Sequence, residues 1–594
     1  MAQELFERVD RQVGNLLDDV MNGRIGLPDL QRPFVWTDAK VRDLFDSMMK
    51  GFPVGYVMLW ASPTDYANTK TIGVGDKQFK RPDDLVIDGQ QRLTSLLAAI
   101  KGVEVMDKNF EPRRIKISFE PLTKEFQVWT KAFERSYQYI SDIAEVFTAY
   151  DNKELSKFRR ALINRMNDGR RRNEQDELTD EEKDTIEDNI NSLLSLDNYT
   201  IPTLRILSKA DEEDVAEIFR RVNSGGQNLN ENNFIETLLA VYDNEMHDKI
   251  KKFCADSRVP AKGTSYNQII DVDPSHIIRV AVALGFHRAR MKYGYKLLRG
   301  DDLEAGTTSV ETREKNMQIF RDSLTRVINL NDWHAFINLF PEAGYLGKDQ
   351  VRSNYVVVFS YVFYLMGKYE YGVQSLLLRH AITRWIFMTT ITSFYSSSPE
   401  STVERQLADL RSIHHADEFI EYLDNTVKMR MNETYFSVEL VKDLTSSSAS
   451  SPLWFGYVAS INVLGTPMLF SNTPQSMYWV VGTDGDKKSI DKHHIFPKHH
   501  LEEIGITDDR DRNQLANFTY LDYNTNIDIS DDAPALYVER FKAKYGEADY
   551  TKHLENNAIP YGFENLSYFD FLNQRRKLMA EIIKKAYNRL WDNN

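Results

Sequence analysis

Over the first 120 residues, short apolar runs alternate with turn signals, as in "GFPVGYVMLWAS" (51–62) and "PDDLVIDGQQRLTSLLAAIKG" (82–102). That pattern predicts short strands interleaved with helices, an α+β domain. From about 125 to 445 the apolar spacing turns helical, as in "DVAEIFRRV" (214–222) and "VQSLLLRHAITRWIFMTTI" (373–391). The longest apolar run, "YVVVFSYVFYLM" (355–366), falls short of the ~20 residues that cross a bilayer and predicts a buried helix. Ser401-Thr402-Val403-Glu404 has the capping-box pattern of a helix start. "LTSSSASSPLW" (444–454) is serine-rich and predicts a flexible connection or surface loop. A chain of 594 residues is too long for one core, and these shifts divide it into 1–245, a helical region 246–445, and 446–594.

Composition narrows the chemistry. Cys254 is the only cysteine, so an intrachain disulfide and a cysteine-built zinc site are excluded, and any metal must sit on His, Asn, Asp or Glu. The start, "MAQELFERVDRQVGNLL", lacks the basic and apolar regions of a signal peptide, so a cytoplasmic location without membrane association is expected. The net charge of −14 argues against coating nucleic acid through the overall field. Local basic patches remain. The cluster at 157–172 runs into an acidic stretch at 173–189, and the two can pair. A further cluster lies at 573–591. In "HRARMKYGYKLLRG" (287–300) aromatics interleave with Arg288, Arg290 and Lys292, the candidate DNA contacts.

In "LVIDGQQRLTSLL" (85–97) an apolar run ends at Asp88-Gly89 and a helix-forming segment follows at once. A strand, a glycine turn and a helix N-terminus gather backbone N–H groups and the helix dipole at one spot, which suits a phosphate. Arg92 can add a bidentate contact, and Asp88 can hold a metal or a ribose hydroxyl. Together with "LPDLQRPFVW" (27–36) and "VAEIFRRVNSGGQNLNENNF" (215–234), this turn resembles the signatures of the GmrS-like domain of the GmrSD restriction systems. That domain is placed in the ParB and sulfiredoxin superfamily. The resemblance implies a nucleoside triphosphate site on Gln31, Arg32, Asp88, Gly89, Gln90, Gln91, Arg92 and Asn223, with Gly225 and Gly226 beside it.

Four of the twelve histidines fall between 493 and 500. Asn517 follows His494 by 23 residues and Asn526 follows Asn517 by nine. His494-Ile495-Phe496-Pro497, Asn517-Phe518-Thr519-Tyr520-Leu521 and Asn526 resemble the GmrD-like HNH, or ββα-metal, nuclease domain. Phe518 and Ala516 depart from its usual leucine and glycine without removing a chemical group. Opening a phosphodiester with water needs a base titrating near neutrality, which an imidazole supplies. The resemblance implies His494 as that base, Asn517 as the group orienting it, and His493 with Asn526 as metal ligands, Asp491 being a substitute for the first. Ligation by N and O atoms suits Mg²⁺, Mn²⁺ or Ni²⁺. His499 and His500 read as a solvated helix start.

The expected fold is therefore multidomain α+β, with a ParB/sulfiredoxin-like N-terminal domain, a mostly helical middle and a C-terminal ββα-metal nuclease domain. The resemblance implies an NTP-regulated, modification-dependent (type IV) DNA endonuclease in anti-phage defence. Its partners would be a nucleotide, a divalent metal and modified phage DNA, glucosylated or phosphorothioate, with self-association left open. The alternatives are a nucleotide-gated DNA-binding switch with an inert HNH site, and a nickase or toxin-like RNase.

Overall fold

Every residue from Val57 to Ala61 is buried, which requires apolar cover on both faces of that strand. The computed structural model shows how the cover is built. It describes residues 4–26, 34, 36–61, 82–106, 112–210, 212–223, 235, 244–258, 269–448, 450–479 and 490–592. Gln31, Arg32, Gly225, Gly226 and the side chain of Asn223 lie outside the described residues. The chain divides into two compact units, 1–248 and 249–594.

In the first unit, β1 (Phe6–Arg8), β2 (Ile25–Gly26), β3 (Val57–Ala61), β4 (Asp84–Asp88) and β5 (Thr203–Ile206) form a mixed sheet in the order β1-β5-β3-β4-β2. Strand alternation sends Val57 and Leu59 to one face, together with Val86. There α1 (Val13–Met21), α2 (Asp38–Met49) and α3 (Gln90–Ile100) cover them with Leu16, Phe45 and Leu93. Met58 and Trp60 face the other way with Leu85 and Ile206, under Val215, Ile218 and Phe219 of a later helix. In register, Met58 lies opposite Asp88 and Leu59 opposite Val86, so Ile87 is the extra residue of a β-bulge just before the glycine turn.

The basic stretch 157–172 lies on α4 (Leu155–Arg172), and the acidic stretch continues into α5 (Asp180–Leu194). Arg170 meets Glu182 at 2.6 Å, Arg171 meets Glu177 at 2.8 Å, and Arg159 pairs with Glu187. The two stretches satisfy each other. The helix covering the second sheet face is α6 (Glu212–Asn223).

Up to its C-terminal third the second unit is helical apart from a short antiparallel pair, Asp301–Asp302 with Thr307–Thr308. In chain order it contains α7 (Pro274–Phe286), α8 (Met291–Arg299), α9 (Val310–Val327), α10 (Asn354–Tyr369), α11 (Ser375–Ile391), α12 (Pro399–Leu410) and α13 (Ala416–Arg430). The apolar run at 355–366 lies on α10 and buries Val357, Phe359, Tyr361 and Phe363. Helix α12 departs from the expected capping box. It starts at Pro399, whose fixed φ suits a first helical position, and Ser401 is already inside it. Glu404 turns sideways, accepting from the Arg288 guanidinium at 2.9 Å and from the backbone N–H groups of Ala289 and Arg290 at 2.7 and 3.1 Å.

Helix α14 (Pro452–Leu464) packs on both α11 and the C-terminal helix, which spans Tyr568–Asp592. Arg384 of α11, almost wholly buried, pairs with Asp424 of α13 at 3.0 Å and lies 4.3 Å over the ring of Trp591. The serine-rich connection is held at both ends: the Ser446 carbonyl accepts from Leu515 N–H at 2.9 Å, and Ser451 caps α14. No helix among the described residues is long and apolar enough to cross a membrane.

Candidate functional site

His493 and His494 end β6 (Ile490–His494), which pairs antiparallel with β7 (Phe518–Asp522); Pro497 then opens α15 (Lys498–Glu503). His493 stands opposite Thr519, and His494 opposite Phe518. Strand β7 runs straight into α16 (Tyr523–Ile529), because Asp522 accepts from the N–H groups of Asn524 and Thr525 at 3.1 and 3.0 Å and so caps it. Asn526 is thereby carried back beside β6, where its amide nitrogen donates to Asp491 at 3.2 Å. Strand β6, the start of α15 and helix α16 with the turn after it line a cleft of 440 Å³ that includes Lys492, His493, His494, Lys498, Asn526 and Asp531.

The two histidines have different surroundings. Burial draws His493 down to about 4, outweighing the Asn526 amide, Asp531 and Asp491, which favour its charged form. It is neutral at physiological pH, and its buried Nε2 has no hydrogen-bond partner. A neutral imidazole with an unsatisfied ring nitrogen is the form a metal ligand takes. His494 is also lowered by burial, against the opposing pull of Asn513. Its Nε2 lies 3.0 Å from Asn513 Oδ1, and its ring sits 4.7 Å from that of Phe518. Because an amide oxygen only accepts, Nε2 carries the proton and Nδ1 keeps the lone pair. Among the described residues there is no group of three or more His, Cys, Asp or Glu able to hold a metal. The side chains of the cleft that could hold a metal are His493 and Asn526, with Asp491 behind them.

Asn517 does not touch the His494 ring; the orienting contact expected of it is made by Asn513. Asn517 is fully buried, accepting from Phe496 N–H at 2.8 Å and donating to the carbonyls of Phe496 and Arg512, each at 3.1 Å. It therefore fastens the chain beyond β6 to the chain before β7. Behind it Arg575, wholly buried on α17 (Tyr568–Asp592), donates to the carbonyls of Ala516 and Phe518 at 2.8 and 2.7 Å, one on each side of Asn517. Asn513 and Arg575 were not legible in the sequence. The first ends a four-residue helix and the second lies on an amphipathic helix, and neither has a spacing signal that points to histidine.

In the first unit β4 ends at Asp88, and Gly89 (φ 91°) opens α3. A Cβ there would lie 3.0 Å from the Val57 side chain and 3.2 Å from the Tyr56 carbonyl, so the turn needs glycine for both conformation and space. Asp88 accepts from Gly89 N–H at 2.7 Å. Arg92 folds back from the first turn and donates to the Tyr56 carbonyl; a Cβ on Gly55 would meet its guanidinium at 2.7 Å. Burial lowers Arg92, with Asp88 opposing. Gln90 and Gln91 stand at the open end of the same helix, partly buried. The structure thus brings Asp88, Gly89, Gln90, Gln91 and Arg92 to one helix N-terminus.

The aromatic and basic stretch 287–300 is partly occupied. Arg288 is held by Glu404 and lies 5.2 Å over Tyr293, whereas Arg290 donates to the Ser401 hydroxyl at 3.1 Å and Lys292 sits 5.0 Å over Tyr293.

The first unit thus carries a strand and glycine turn at a helix N-terminus, and the second a cleft lined by two histidines. Residues 13–240 match the family model described as the GmrSD restriction endonuclease, N-terminal domain. The chain is also 24% identical over 613 residues to an uncharacterized protein of Methanocaldococcus jannaschii, an alignment that covers 97% of this chain and 96% of that protein.

Proposed function

We propose that this protein is a GmrSD-type, modification-dependent DNA endonuclease whose C-terminal cleft hydrolyses phosphodiesters by an HNH mechanism under control of a nucleoside triphosphate. The observation that carries the reading is the pair on β6. One buried, neutral imidazole has an unsatisfied nitrogen beside Asn526, and its neighbour is oriented by Asn513 with a lone pair free. His494 Nδ1 takes the proton from a water that attacks phosphorus in line with the leaving 3′ oxygen. The P–O3′ bond breaks, leaving a 5′ phosphate and a 3′ hydroxyl. His493 and Asn526 would hold a divalent cation, Mg²⁺ or Mn²⁺ by the hardness of its remaining oxygen ligands, and when bound it stabilises charge on the leaving oxygen. A switch with an inert site is disfavoured by this pairing of base and ligand. Comparing labelled duplex DNA, single-stranded DNA and RNA separates a duplex endonuclease from a nickase or RNase.

On this reading the nucleotide binds where α3 begins, with Asp88 and Arg92 at its phosphates or ribose. Arg92→Ala is expected to abolish triphosphate turnover and to change the DNA cleavage rate across a nucleotide titration, since control requires that the nucleotide bind two states with unequal affinity. Calorimetry and phosphate release check the first effect; superimposable flat cleavage curves for wild type and variant would mean that the two parts act independently.

Arg290 and Lys292 are the DNA contacts proposed on α8 and the turn before it. Replacing both with Ala is expected to lower the slope of log affinity against log salt by about one unit per lost phosphate contact. Arg288→Ala is expected instead to lower the unfolding midpoint by releasing Glu404, with the slope unchanged, as fluorescence binding at several salt concentrations would show.

A further inference from the structure

We propose that Lys498 holds the phosphodiester to be cut, its ammonium against a non-bridging oxygen, a role that rests on the nuclease reading above. Lys498 is the first residue of α15, directly after Pro497. It is exposed, and it lines the cleft together with His493, His494 and Asn526. An exposed helix lysine can pair with an acid one turn away. That acid, Glu502, is taken by the Arg512 guanidinium, which also meets Asp509 at 2.8 Å. Glu503 lies beside His499 and His500, at 3.6 and 3.9 Å. Among the described residues no carboxylate pairs with Lys498, so its charge is left over the cleft.

The other lysine of the cleft is engaged elsewhere. The Lys492 ammonium lies 3.9 Å from the centre of the Phe518 ring and 4.8 Å from that of Trp454, and burial lowers it to about 8. Among the residues lining the cleft, that leaves Lys498 as the exposed cation. Charge is also divided along the cleft. Asp531 opposes the burial of His493 by favouring its positive form, whereas Lys498 adds to the burial of His494 in favouring the neutral ring. A divalent cation and a phosphate entering together fit that polarity, the cation on the His493 and Asn526 side and the phosphate oxygens beside His494 and Lys498. An ammonium binds phosphate as a point charge, and its flexible stem lets it stay with the oxygens as the phosphorus changes geometry. The division of labour follows: His494 takes the proton from water, and Lys498 holds the oxygens of the phosphorus which that water attacks.

Lys498→Gln removes the charge, and Lys498→Arg keeps it. Single-turnover cleavage at saturating DNA, DNA affinity across salt, and thermal unfolding are measured for both beside wild type, on one duplex fragment of modified phage DNA. Lys498→Gln should unfold at the wild-type midpoint, because the side chain is exposed and pairs with no acid. It should cleave about 10- to 100-fold more slowly, the worth of one hydrogen bond to a charged group, with the slope of log affinity against log salt lower by about one unit. Lys498→Arg should recover most of both. On the same duplex with a single uncharged methylphosphonate at the mapped cut site, wild type and Lys498→Gln should bind equally. Lys498→Gln cleaving at the wild-type rate, or losing as much affinity for the methylphosphonate duplex as for the natural one, would overturn the proposal while leaving the nuclease reading intact. Wild type that cuts no DNA would remove that reading and the proposal with it.

Discussion

His494→Ala is expected to slow DNA cleavage by about 10²–10⁴-fold, the contribution of one positioned general base. Thermal unfolding, DNA affinity and triphosphate turnover should stay at wild-type values. The selectivity follows from its surroundings. The ring contacts Phe518 and one amide oxygen of Asn513, so its loss leaves no charge buried and breaks no backbone connection. Added imidazole should restore part of the rate by entering the space left by the ring. Cleavage by the purified variant at the wild-type rate would end the assignment of the base. Asn513→Ala should give a milder version of the same phenotype, because the ring remains but its tautomer is no longer fixed.

Asn517→Ala is expected to affect folding and cleavage together. Its amide makes three hydrogen bonds at a fully buried position, and truncation strands the N–H and carbonyl of Phe496, while the Arg512 carbonyl keeps the Tyr568 hydroxyl at 3.3 Å. Leaving buried polar groups without partners costs about 1–3 kcal/mol each, offset where water enters, so a loss of about 2–4 kcal/mol is expected in chemical denaturation of the C-terminal unit. Cleavage should fall as well, since the strand end that carries His494 is fastened through Phe496. The contrast with His494→Ala separates the two roles. A stable Asn517→Ala protein with only its rate impaired would restore the idea that this side chain acts on the histidine directly.

The contrast also shows what the sequence could and could not reveal. Short-range features were legible: the strand, glycine turn and helix at 84–100 and the buried helix around 355–366. Each depends on alternation, a glycine or a cap within a few residues. Partnerships across long loops were not. Asn517 reads as a histidine partner from its offset, yet its amide matches a peptide group better than a ring, and the fold supplies a free peptide at Phe496. Glu404 reads as a capping residue from its place after Ser401, but α12 already starts on Pro399, and Arg288 with two backbone N–H groups offers its carboxylate a stronger set of donors. The pairing of 157–172 with the acidic stretch was legible because the two are neighbours in the chain.

The most direct test of the central claim is the cleavage rate of matched modified and unmodified phage DNA, measured with Mg²⁺ or Mn²⁺ and with and without each triphosphate. A metal-dependent nuclease of this kind should cut the modified DNA, stop when the metal is chelated, and change rate when the nucleotide is added. Equal cutting of both DNAs, or no cutting of either under any of these conditions, would contradict it.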